Sequence, residues 1–200
     1  MANNQMQLKI RGKAYWAHVQ SPETYEGKQL GYSIMVKIDD DKLETLKNKL
    51  ENLFNEAEPT MAKKPNRKKP MNLPIKEDGK VGECIKSKTL HYYKNRETGE
   101  ITPKTLPVFK KICEPLEQGV LIGNGSEVVI NVTPSPYVVN PSTYGIQLRL
   151  NAVQVLGLVE FGGRSASAFG FDTEDEDEDD TKTGGMSQST ATNEDGELDF

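Results

Sequence analysis

The spacing of apolar residues constrains the fold of this chain most strongly. Residues 31–38 alternate, with Tyr32, Ile34, Val36 and Ile38 facing one way, which is typical of a half-buried β-strand. Similar β-forming segments occupy residues 6–19, 127–132 and 144–161, with Gly- and Pro-containing turns nearby. Regular helical crossovers between successive strands are not indicated. The pattern therefore predicts a mainly antiparallel barrel or sandwich of about six or seven strands.

One helix is predicted after the second strand, over about residues 41–58, with Pro59 ending it. Asp39 to Asp41 supply N-cap acceptors and place negative charge at the positive end of the helix dipole. The apolar face of the helix consists of side chains spaced three and four residues apart: Leu43, Leu46, Leu50, Leu53, Phe54 and Ala57. A small barrel with one such helix favours the OB-fold, a five-stranded Greek-key barrel, here with extra strands.

The remaining segments give three local predictions. Residues 83–93 and 105–112 form a hairpin around a turn at 95–100. The last strand carries Ile146, Leu148 and Leu150 on one face, and its phase shifts at Asn151-Ala152 because Val153 and Val155 continue from an odd position. The basic, Pro-rich segment 62–74 is an exposed loop.

Charge divides the chain into two parts. Residues 172–200 contain 12 acidic residues and one lysine, whereas residues 1–171 contain 24 basic and 18 acidic residues. A segment with this charge and few apolar groups cannot bury enough surface to fold alone. The sequence therefore predicts an OB-fold domain over 1–171 and a disordered acidic tail over 172–200. The tail ends in Leu198, Asp199 and Phe200, a predicted docking element for a basic pocket with an apolar floor.

Several classes of protein are not supported. The chain lacks a phosphate-binding GxxxxGK[ST] loop, a GxSxG elbow and an HExxH motif, so we expect no enzymatic activity and no cofactor. No apolar run reaches the length of a membrane span, and no secretory signal is evident. Two cysteines without a CxxC spacing indicate a reducing cytoplasm. The spacing of the candidate zinc ligands His18, Cys84, His91 and Cys113 matches no compact metal motif, so two ordinary buried thiols are the better interpretation.

Basic residues interleaved with aromatic residues indicate single-stranded nucleic acid as a ligand. Lysines contact phosphates, and aromatic rings stack on unpaired bases. Period two over 86–94 places Lys86, Lys88, Leu90, Tyr92 and Lys94 on one face. Further candidates are the adjacent ring, a tyrosine held by prolines just after a strand, the single tryptophan and the basic loop: Tyr93, Tyr137, Trp16, Lys68 and Lys69. A solvated strand face, a core tryptophan and a merely solubilising loop are the alternatives for these residues.

The run GNGSEVVINVTPSPYVVNPSTYGIQLRLNAVQVLGLVEFGG (123–163) and the acidic end closing on Asp199-Phe200 resemble the gene 2.5 type single-stranded DNA-binding proteins of short-tailed bacteriophages. The resemblance implies an OB-fold with a helix after the second strand. It also implies sequence-tolerant DNA binding in phage replication, recombination and repair, with strand annealing, in the cytoplasm of the infected bacterial host. Tyr137 matches a DNA-contacting tyrosine of the family, Phe200 its terminal docking residue, and Lys86 and Lys88 its basic strand.

The resemblance further implies that the acidic tail competes with DNA for the groove and binds the phage DNA polymerase and helicase–primase, and that homodimers form. Two alternatives remain at this point. A protein–protein adaptor or DNA-mimic inhibitor would act through the acidic tail, but it does not account for a cationic body. A double-stranded DNA or RNA binder could use the same barrel, since discrimination depends on contacts at the 2′-hydroxyl.

Overall fold

A computed structural model describes residues 6–95 and 97–159, which hold nine β-strands and one α-helix. The strands that build the barrel are long: β1 (Leu8–Tyr25), β2 (Lys28–Lys37), β4 (Gly82–Thr89), β8 (Glu127–Asn140) and β9 (Thr143–Gly157). The others are short: β3 (Ile75–Asp78), β5 (Tyr92–Lys94), β6 (Ile101–Pro103) and β7 (Val108–Phe109). The helix, α1, spans Asp40–Ala57. All described residues belong to one compact unit.

Five strands close into a barrel in the order β4-β2-β1-β8-β9, and β9 returns to β4. Every neighbouring pair is antiparallel except the closing pair β4–β9, which is parallel and joins Ser87 to Leu148 and Lys88 to Arg149. β3 extends the sheet beside β4, and β7 pairs with β9. This is the predicted OB-fold, a closed five-stranded barrel with additional short strands.

The barrel interior is filled by one side of each strand, as period-two alternation requires. The predicted inward residues of β2 are fully buried or nearly so, and Ile38 packs against the core after the strand ends. The core includes Tyr32, Ile34, Val36, Ile85, Val128, Ile130, Val132, Leu148, Leu150 and Val153.

The predicted phase shift in the last strand is confirmed. Asn131 pairs with Ala152 and Val132 pairs with Leu150, so Asn151 is the extra residue of a β-bulge. Its amide donates hydrogen bonds to Asn131 Oδ1 (2.9 Å) and Thr133 Oγ1 (2.8 Å), which satisfies the side chain that the bulge displaces. The apolar set then continues at Val153, which is fully buried.

The predicted helix is also confirmed and packs against β8 and β9. Its Phe54 ring is buried 5.5 Å from the ring of Tyr144, with the Arg67 guanidinium 5.3 Å above its centroid. The expected N-cap hydrogen bond is absent at Asp39. Its carboxylate instead accepts from the Lys42 ammonium at 2.5 Å, which lowers the pKa of Asp39 through that hydrogen bond and the lysine charge.

Two strand predictions were wrong. Residues 134–137 lie inside β8 rather than after a strand, because β1 pairs with β8 only as far as Val132 and β9 alone pairs with it beyond that point. Prolines without N–H donors are tolerated where one edge of a strand is free. The hairpin around 95–100 exists, but it joins β5 to β6, and residues 108–109 pair instead with β9.

The cysteine interpretation was half right. Cys84 is buried, and burial raises the pKa of its thiol. Cys113 is exposed in a loop with a left-handed backbone (φ 65°). Within the described ranges, no three His, Cys, Asp or Glu side chains group as metal ligands would. No helix there is long and apolar enough to cross a membrane.

Candidate nucleic-acid interface

The outer face of β4, β9 and β8 brings together basic, polar and aromatic side chains from distant parts of the sequence. Ser87 and Leu148 point into the barrel, so their neighbours Lys88 and Arg149 point outward and are exposed. The antiparallel β8–β9 register places Tyr137 opposite Gly145 on the same outer face. Gln147 and Ser135 form the pair between them, and Lys86 precedes Lys88 by two residues.

A groove of about 660 Å³ lies on this face and is called the barrel groove. Its walls come from the end of the basic loop, from β3 and β4, and from β8 and β9: Asn72, Leu73, Pro74, Lys76, Lys86, Lys88, Tyr137, Val139, Ile146, Gln147 and Leu148. Three lysines line it, and no carboxylate does so among the described residues.

The segment 62–74 forms one wall of the barrel groove because it is fastened to β9. The N–H of Asn72 donates to Tyr144 O (3.0 Å), and the N–H of Ile146 donates to Asn72 O (3.1 Å). The Tyr144 hydroxyl donates to Lys69 O at 2.5 Å. A side chain at Gly145 would overlap the Asn72 carbonyl oxygen, so glycine is what allows the loop to lie this close.

A second groove of about 600 Å³ adjoins the first and is called the hairpin groove. It shares Lys88 and Gln147 with the barrel groove. Its other walls come from β2, the end of β4, the β5–β6 hairpin and β9: Leu30, Thr89, Leu90, Tyr92, Tyr93, Lys94, Lys104 and Arg149. In the part of the chain that the structure describes, no carboxylate lines this groove either.

The structure therefore brings six of the nine predicted DNA-binding residues to two adjoining grooves, although not in the predicted way. The period-two face over 86–94 was wrong, because β4 ends at Thr89 and β5 belongs to a separate two-stranded sheet. Tyr92, Tyr93 and Lys94 thus line the hairpin groove from the separate β5–β6 sheet instead of continuing one strand face.

Other predicted residues lie elsewhere. Trp16 sits in β1 with its indole N–H donating to Asp78 Oδ2 at 3.2 Å, and it lines neither groove. Lys68 and Lys69 are exposed in the basic loop and also line neither groove. DNA contact by these three side chains stays a prediction from the sequence. Leu198, Asp199 and Phe200, with the whole segment 172–200, lie outside the described residues.

Four further residues that line the grooves were not predicted from the sequence: Gln147, Arg149, Lys104 and Lys76. Gln147 and Arg149 could have been suspected, because the predicted inward set Ile146, Leu148 and Leu150 leaves them on the outer face. Nothing local indicated Lys104. Its ammonium donates to Thr89 Oγ1 at 3.0 Å, and its pKa is lowered by burial and, next, by the charge of Arg149.

Solved structures of bacteriophage single-stranded DNA-binding proteins share this fold. The crystal structure of gp2.5 from bacteriophage T7 superposes with a TM-score of 0.63 at 19% identity, covering 86% of this chain and 97% of that one. The bacteriophage Enc34 protein in complex with single-stranded DNA gives 0.54 at 17% identity, covering 78% and 89%. The resemblance stated from the sequence is thus confirmed at the level of the fold. No family model and no curated protein sequence matches the chain.

Proposed function

We propose that this protein binds single-stranded DNA without sequence preference along the outer face of β4, β9 and β8. One observation carries the proposal: Lys86, Lys88, Arg149 and Tyr137 share an outer face whose two grooves no described carboxylate lines. Cations gathered along one face suit a phosphate backbone, and a partly buried tyrosine suits stacking on an unpaired base. The fold shared with phage single-stranded DNA-binding proteins supports the same ligand.

The test is a fluorescence-anisotropy titration of labelled oligo-dT of about 30 nucleotides at several salt concentrations. We expect log K to fall against log salt with a slope of about −0.7 for each phosphate neutralised. Tyr137→Ala is expected to lose about 1–3 kcal/mol of binding free energy. Tyr137→Phe retains the ring and is expected to bind like the wild type.

A lysine pair gives a second arm of the same experiment. Lys88→Ala removes an exposed cation that lines both grooves, so affinity and the salt slope are expected to fall. Lys49→Ala removes an exposed cation on α1, which lines neither groove, and is the matched control. Equal losses in the two variants would mean that DNA is held by overall charge rather than by this face. Duplex DNA and oligo-U as competitors distinguish single-stranded DNA from the other nucleic acids.

We further propose, from the sequence, that residues 172–200 compete with DNA for the cationic face. A truncation ending at residue 171 should then bind oligo-dT more tightly than the full chain, and more so at low salt. No binding by either protein would favour an adaptor that acts through its acidic segment.

The same segment is proposed to recruit a phage DNA polymerase and helicase–primase through Leu198, Asp199 and Phe200. Deleting Phe200 alone should weaken polymerase binding and leave DNA affinity nearly unchanged. Altered DNA affinity with intact polymerase binding would contradict this role.

The proposed setting is phage DNA replication, recombination and repair in the cytoplasm of an infected bacterium, without enzymatic activity. Annealing of complementary strands is expected and is measured by the rate of duplex formation with and without the protein. A homodimer is also proposed, and sedimentation equilibrium measures it directly.

A further inference from the structure

The β5–β6 hairpin stands outside the barrel and carries an exposed aromatic ring, Tyr93, which is 63% exposed. A two-stranded hairpin is only marginally stable by itself in water. Its base is held by Lys104 twice, since the backbone N–H donates to His91 O (2.7 Å) and the ammonium donates to Thr89 Oγ1 (3.0 Å). The rings of His91 and Tyr92 pack in a T-shaped arrangement, with centroids 4.9 Å apart. These contacts hold the hairpin beside the end of β4.

The groove at the base of this hairpin concentrates positive charge. Lys88, Lys94, Lys104 and Arg149 line it, together with two tyrosines. The Lys104 ammonium is partly buried and hydrogen-bonded to a neutral hydroxyl, and the nearby charge of Arg149 opposes its protonation and helps lower its pKa. An anion bound beside Lys104 would relieve this repulsion. The groove is thus arranged for an anionic ligand before any ligand is present.

The hairpin groove is continuous with the barrel groove, because Lys88 and Gln147 contribute to both. A strand that lies in the barrel groove therefore reaches the hairpin groove along the same surface. Each nucleotide of a single strand brings one phosphate and, when unstacked, a base whose faces are free to stack on an aromatic ring. The hairpin groove offers a group for each of these, Lys104 for the phosphate and Tyr93 for the base.

We propose that the hairpin groove is a second subsite for the same DNA strand, in which Lys104 contacts a backbone phosphate and Tyr93 stacks on a base. This inference rests on the proposed function, because it extends the path of a strand already placed in the barrel groove. It assigns the hairpin to DNA binding and sets a minimum length for full affinity.

Length dependence tests the proposal. Affinities are measured for oligo-dT of about 5 nucleotides, enough for one groove, and about 15 nucleotides, enough for both. Tyr93→Ala is expected to weaken binding of the longer oligonucleotide at least about fivefold and to leave the shorter one unchanged. Tyr25→Ala is the matched control, because Tyr25 is 64% exposed at the tip of the β1–β2 hairpin and lines neither groove.

The proposed phosphate contact of Lys104 is tested by removing and then restoring the positive charge at this position. Lys104→Met is expected to reduce the salt slope by about 0.7 for the longer oligonucleotide only, since one phosphate contact is lost. Lys104→Arg keeps the charge and should restore the slope. If Lys104 only stabilised the hairpin, Lys104→Met would lower the thermal unfolding midpoint and leave the salt dependence of DNA affinity unchanged.

The outcomes separate this inference from the proposed function. If Tyr93→Ala behaves like Tyr25→Ala at both lengths while Tyr137→Ala still weakens binding, the hairpin subsite is wrong and the barrel groove stands. If Tyr93→Ala weakens the short and long oligonucleotides equally, the hairpin is part of a single site and the two-subsite proposal is wrong. If the wild type binds neither length, the proposed function itself fails.

Discussion

Gly145 is the position where a single methyl group should disturb both the fold and the candidate interface. A Cβ at this position would overlap the carbonyl oxygen of Asn72 and lie 2.9 Å from its carbonyl carbon. Backbone atoms cannot rotate away, so the 62–74 loop must move off β9. The move would break the hydrogen bonds from Asn72 N–H to Tyr144 O and from Ile146 N–H to Asn72 O. At about 0.5–1.5 kcal/mol each, their loss gives about 1–3 kcal/mol of destabilisation in Gly145→Ala.

Urea denaturation of the full chain, followed by circular dichroism, measures this loss. Gly79→Ala is the control, because no atom lies within 4 Å of a Cβ built there, and it is expected to stay within about 0.5 kcal/mol of the wild type. Oligo-dT affinity of Gly145→Ala should also fall, since Asn72 is a wall of the barrel groove and Tyr137 lies opposite Gly145. A Gly145→Ala variant as stable as Gly79→Ala would refute the close packing of the loop on β9.

Three further predictions follow from single side chains. Phe54→Ala removes a fully buried ring and should cost about 3–5 kcal/mol in urea denaturation; a loss below about 1 kcal/mol would contradict the packing of α1. The pKa of Asp78 is lowered chiefly because its carboxylate accepts a hydrogen bond from the N–H of Lys80. The charged carboxylate therefore stabilises the fold above its ordinary pKa of 3.8, and this stabilisation is lost as the pH falls through the lowered pKa. Asp78→Asn should therefore flatten the acid side of the thermal-midpoint profile, and parallel profiles would count against this. Trp16, the only tryptophan and 48% exposed, is a predicted DNA contact, so its emission should be quenched when oligo-dT saturates the protein; unchanged emission would remove it from the site.

The fold was predictable from the sequence where one face of an element is buried. The alternation in β2 and the three- and four-residue spacing in α1 both report contact with the core, and both predictions were confirmed. The bulge at Asn151 was also visible, because an apolar set that changes from even to odd positions needs one extra residue. These are local signals, read within one element at a time.

The continuation of β8 through its two prolines was not predictable in this way. Proline removes a backbone donor and normally argues against a strand interior. The segment is nevertheless a strand because β9 pairs with it on one edge and β1 no longer pairs with it on the other. This one-sided pairing depends on where β1 and β9 lie in the sheet, and the sequence of residues 134–137 does not indicate it.

The candidate interface depends on the same kind of long-range pairing. Lys88 and Arg149 are register partners in the parallel pair that closes the barrel, so two like charges lie side by side on adjacent strands. Cross-strand pairs more often combine opposite charges, so two cations in neighbouring positions depart from the usual pairing rules of sheets. Local rules are broken most often at functional sites. The strand pair that completes the barrel thus also places Lys88 and Arg149 together on the candidate interface, which is why neither strand's own sequence could predict the pairing.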